Sequence, residues 1–155
     1  MFYTLIFCEL LQGLTALVFG ASDIHFEIAG IKLCAGFLLN GGIVSNGIIL
    51  LLPFVITILA IESSVKLLKR YSPGFKRYFT VIFSICLSGF LLFDSFYSAF
   101  SVVLRFNYQN DWVQLVALSD FTEGGRIAFV FFMIILTAGY LNLSSKRIIK
   151  YINIQ

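Results

Sequence analysis

Cys8, Glu9 and Gln12 stand together inside an apolar run from about Phe2 to Phe19. Residues four apart share a helix face, so Cys8 and Gln12 would stack with Glu9 beside them. A thiolate can ligate zinc, and a carboxylate next to it can take a proton from metal-bound water. The spacing lets one helix face present two ligands and a base to one ion. Gln12 weakens that chemistry, because its amide is neutral and a poor donor to a metal. The other polar groups at comparable depth are Asn40, Asn46 and Asp94. Intramembrane acids are costly, so they usually face a bundle interior and often serve a function.

These residues need elements to position them, and composition says what kind. Of 155 residues, 59% are hydrophobic and 12% charged, against roughly 25% charged in a soluble domain. A single soluble core of this size cannot hide that much apolar surface. The chain is expected to be one integral membrane domain, 1–155, bounded in part by the lipid bilayer. A hydrocarbon core of about 30 Å needs roughly 20 helical residues. Four segments approach that length, at about 2–19, 41–61, 79–104 and 125–143. The predicted fold is therefore an all-α membrane protein with about four transmembrane helices.

Two polar stretches interrupt that plan. Asp23-Ile24-His25-Phe26-Glu27-Ile28 alternates polar and apolar residues, Ala29-Gly30 turns, and Ile31-Lys32-Leu33 resumes. This predicts a short interfacial β-hairpin over about 23–33. Asn110-Asp111 reads as a helix start, which predicts a short interfacial helix over about 110–118 with Trp112 near the headgroups. Pro53 inside the second segment should kink its helix or free a carbonyl.

Lys66, Lys69, Arg70, Lys76 and Arg77 follow the second segment, and Lys146, Arg147 and Lys150 follow the fourth. The positive-inside rule puts both clusters in the cytoplasm. With four crossings, both termini are then cytoplasmic. Nothing in these flanks calls for nucleic acid as a partner. Cys8, Cys34 and Cys86 form no close pair, so neither a disulfide framework nor a paired-cysteine zinc knuckle is indicated. His25 is the one histidine, and one histidine cannot make a His-rich metal site.

With histidine at positions 8 and 12, the segment Cys8-Glu9-Leu10-Leu11-Gln12-Gly13 would be H-E-L-L-H-G. So read, it resembles the first motif of the site-2-protease type of intramembrane zinc metalloprotease. The hairpin after it, Gly42-Ile43-Val44-Ser45-Asn46 and Asn110-Asp111-Trp112 resemble that family's later features in the same order. The glycine-led motif lacks its proline and the aspartate motif its glycine. The resemblance implies that Cys8, Gln12 and Asp111 occupy former metal-ligand positions, Glu9 the former catalytic position and Asn46 a binding position. It implies a pseudoprotease that binds or regulates without cleaving. If it were active, it would be a membrane-embedded metallopeptidase. No cofactor is expected, and zinc only if the degraded site still holds it. A partner membrane helix or a larger membrane complex is the implied company.

Plainer roles stand beside these. Glu9 and Gln12 suit hydrogen bonds across a bundle, Cys8 a small buried hydrophobe, Asn46 helix-packing glue and Asp111 a helix cap. Asp94 suits pairing with Arg105 or Arg126. The rival functions are a structural or assembly subunit of a membrane complex, and a small ion-coupled transport protein using Glu9 and Asp94.

Overall fold

The structure is a computed structural model describing residues 10, 12–29, 32–38, 42–106 and 110–152, with the backbone alone over 25–29 and 32–38. Cys8, Glu9 and Asn40 lie outside the described residues, as do the side chains of His25 and Cys34.

Residues 12–18 are helical and form α1. Strands β1 (Ser22–Ala29) and β2 (Lys32–Leu38) follow, then α2 (Ile43–Arg70), α3 (Phe75–Leu104), α4 (Asp111–Leu118) and α5 (Glu123–Ile152). Three of these helices, α2, α3 and α5, are long and apolar enough to cross a membrane. At 1.5 Å per residue, their 28 to 30 residues extend about 42–45 Å. They run past the expected segment ends because their basic flanks remain helical. Lys69 and Arg70 occupy the last turn of α2, and Lys150 that of α5. Cations there complement the carbonyl end of the helix dipole. The first apolar segment is helical where it is described, but its 12–18 stretch alone is too short to span.

Packing divides each long helix into two faces. Ile61, Val65 and Leu68 of α2 meet Leu87, Leu91 and Val102 of α3 and Val130, Met133 and Ile148 of α5 in one buried cluster. Between them lie small polar side chains, among them Ser84, Ser95, Ser101, Thr137 and Ser144, all essentially inaccessible. Their size lets backbones approach closely, and several hydroxyls are spent on the carbonyl four residues back, as in Ser84 to Thr80 and Thr137 to Met133. The Ser95 and Thr137 hydroxyls also pair across α3 and α5 at 3.2 Å. The opposite faces expose large apolar residues such as Phe79, Phe93, Phe100, Phe131 and Ile135. Faces like these match lipid tails rather than water.

The hairpin forms, and it is longer than expected. β1 and β2 pair antiparallel from Ala29↔Lys32 out to Ser22↔Leu38. The register shifts between Ser22 and His25, where Asp23 adopts a left-handed φ of 54°.

The short helix α4 also forms, with two corrections. Asn110, not Asp111, is its cap, and the Asn110 side chain accepts from the Trp112 and Val113 backbone N–H groups. Its tryptophan is not on the surface of the protein either. Trp112 is 2% exposed and lies edge-on to Phe54 of α2 and Phe129 of α5, at 6.3 and 5.8 Å. The headgroup preference of tryptophan gives way to a slot between two phenylalanines on other helices. The Asn110 amide donates to Ser98 Oγ at 3.0 Å. Ser98 lies six residues before the end of α3, about 9 Å along its axis. The chain therefore doubles back into the bundle after α3 before α4 begins.

Candidate functional site

Pro53 builds one wall of the site through what it lacks. Without an N–H it cannot donate to the carbonyl four residues earlier, which is that of Ile49. The Gln12 side chain answers it: Nε2 donates to Ile49 O at 3.5 Å and to Asp111 Oδ1 at 3.1 Å. An amide nitrogen carries two protons, and both are directed at acceptors. That pattern also fixes which way the amide faces. Gln12 is 3% exposed, so this donation matters. A buried carbonyl or carboxylate without a donor is expensive.

Each partner is held by its own element. Gln12, Gly13 and Ala16 form the buried face of α1, while Leu14, Leu17 and Val18 are exposed. Asn46 is 3% exposed on α2, one turn before Ile49 and Leu50 on the same face. Gly47 leaves room beside it for Leu115 of α4, whose Cδ1 would lie 3.6 Å from an added Cβ. Asp111 is half-buried at the first position of α4, where the helix N-terminus favours a negative charge. Asn110 and Ser98 continue the polar surface onto α3. Asp94 is half-buried one turn further along that helix.

The structure thus brings Gln12 and Asp111 into direct contact, with α2 supplying a backbone acceptor and the buried Asn46. Cys8 and Glu9 fall outside the described residues. Among the described residues, no three His, Cys, Asp or Glu side chains converge as a metal centre. What the cluster offers is a carboxylate answered by a neutral amide.

Arg105 and Arg126 were the expected partners of Asp94. Both arginines meet Glu123 at the start of α5. Glu62, Tyr140 and Arg147 form a second constellation that the sequence did not single out. Arg147 donates twice to Glu62, at 2.9 and 2.7 Å, and the Tyr140 hydroxyl donates to Glu62 Oε1 at 3.1 Å and lies 3.2 Å from Ile58 O. Its signal was present: Glu62 is the one acid at the border of an apolar run followed by five cations.

No family model, no curated protein and no solved structure matches the chain, so its relationships rest on its own residues.

Proposed function

We propose that this chain is an integral membrane protein related to the site-2-protease type of intramembrane zinc metalloprotease, and that it acts by binding rather than by cleavage. In this reading the first apolar segment is a fourth crossing and both termini face the cytoplasm. The observation that carries the reading is the double donation from Gln12 to Ile49 O and Asp111 Oδ1. It ties the motif-bearing helix to the aspartate-bearing helix, two parts that the family joins through zinc. Here a hydrogen bond does the joining. The Gln12 nitrogen has no lone pair for a metal, and its proton occupies the carboxylate oxygen that a metal would take.

The order of parts supports the same reading. A helix over 12–18 that carries Gln12, a hairpin, a helix capped by Gly42 and carrying Asn46, and a short helix opening on Asp111 follow one another. The frame is kept while the ligand set is degraded. Such a frame suits recognition of a partner membrane helix.

Restoring the ligands tests this. Purified in detergent, the natural chain should carry almost no zinc after incubation with the metal and washing. The Cys8→His/Gln12→His chain should carry about one zinc per chain, and Asp111→Ala should remove it again. Failure of the doubly substituted, folded chain to gain zinc would overturn the family reading. Stoichiometric zinc in the natural chain, with cleavage of a helical substrate lost in Glu9→Gln, would overturn the non-catalytic reading.

A further inference from the structure

Arg126 stands where a cation is least expected. It occupies the first turn of α5, the positive end of the helix dipole, where a positive charge is disfavoured. Its side chain is 21% exposed. Among the described residues its side chain meets one partner, Glu123, at 3.3 Å. Glu123 is itself 81% exposed and shared with Arg105. A guanidinium has five N–H donors, so most of those on Arg126 are left without a protein acceptor.

Space lies on both sides of that guanidinium. One cleft of about 300 Å³ is lined by Val102, Val103, Arg105, Glu123, Arg126 and Ile127. Another of about 260 Å³ shares Val102, Arg105 and Arg126 and reaches Val113, Val116 and Phe121 of the α4 region. Together they are large enough for a small ligand group. Their walls mix charged side chains with apolar ones such as Val102, Val103 and Ile127, of which Val103 and Ile127 are exposed. Two guanidiniums in one cleft at the end of helices long enough to cross a membrane suit an oxyanion that takes paired N–H donors.

We propose that this cleft binds a phosphate group through Arg126 and Arg105, with the exposed Glu123 carboxylate acting as the displaceable stand-in. Asp120, exposed at the rim of the second cleft, adds a second competing charge. The exposed Val103 and Ile127 beside the arginines suit the headgroup phosphate of a phospholipid, and dissolved phosphate offers the same chemistry.

The test uses the full chain in a maltoside detergent. Native mass spectrometry counts retained phosphatidylglycerol, and calorimetry measures inorganic phosphate. Arg126→Gln and Arg105→Gln should each weaken binding about tenfold. Glu123→Gln should strengthen it about threefold, because it removes the competitor. Arg105 is 55% exposed, so its substitution leaves packing intact and guards against a folding artefact. Arg126→Lys should retain part of the binding. Retention of phosphatidylglycerol alone assigns the source to lipid, and binding of inorganic phosphate assigns it to solution. Equal binding by the natural, Arg105→Gln and Glu123→Gln chains, or none by any of them, overturns the proposal.

Discussion

Glu62 and Asp111 join helices at opposite ends of the bundle, and the two carboxylates are met differently. At the basic end, Glu62 of α2 meets the guanidinium of Arg147 on α5 through both oxygens. Opposite charges cancel, and both groups remain partly exposed, at 27% and 43%. At the α4 end, Asp111 is met by the neutral amide of Gln12, which is nearly inaccessible. The first arrangement is a finished structural clamp. The second answers a charged carboxylate with a neutral donor, in a place where charge is costly.

Substitutions can separate the two ends. The largest effect is expected from Trp112→Ala, which empties the slot between Phe54 and Phe129 and should cost about 3–5 kcal/mol. Thermal unfolding in detergent micelles measures it, and a loss below about 1 kcal/mol would show that α4 docks without this anchor. Gln12→Leu comes next. It strips a donor from both Asp111 and Ile49 O, with an expected cost of about 2–3 kcal/mol. The same measurement with Asp111→Asn should give a smaller loss, since an amide oxygen still accepts.

Pro53→Ala sharpens the comparison. It returns an N–H to Ile49 O, so Gln12 becomes less necessary. In a double-mutant cycle, Gln12→Leu should cost about 1 kcal/mol less in the Pro53→Ala background. Strict additivity would mean that the proline and the glutamine are unconnected. The smallest effect belongs to the basic end. Arg147→Met should cost only about 0.5–1 kcal/mol, because a partly exposed pair is screened and entropically expensive. A loss as large as that of Gln12→Leu would erase the contrast.

The long helices were legible in the sequence because an apolar run of bilayer length has few other solutions. Their ends were not, since residues such as Ser63–Arg70 and Ser145–Ile152 lose hydropathy without losing helical backbone. The hairpin announced itself by alternation over Asp23–Ile28. Its second strand extends past Leu33 through Cys34–Leu38, where the residues are uniformly small or apolar and period two vanishes. Pro53 foretold a freed carbonyl, but not that a side chain from α1 would use it. Trp112 misled because interfacial preference is a property of tryptophan in general. Its slot depends on Phe54 and Phe129, 58 positions before and 17 after it in the chain. Glu62 stood out as an acid before five cations, but no local pattern names its long-range partner Arg147. The family resemblance proposed for residues 8–12 and 110–112 was the one sequence signal that linked Gln12 to Asp111.

Trp112 is also the chain's one tryptophan, and its burial against two aromatic rings makes it an internal fluorophore. Its emission should be blue-shifted while α4 is docked and move to longer wavelength when the helix leaves its slot. No label is needed, because the tyrosines can be avoided by exciting at the red edge of absorption. The lone indole therefore gives the polar site an optical readout. Metal, a partner helix or a substitution that disturbs the start of α4 should register there as a change in colour before the rest of the bundle unfolds.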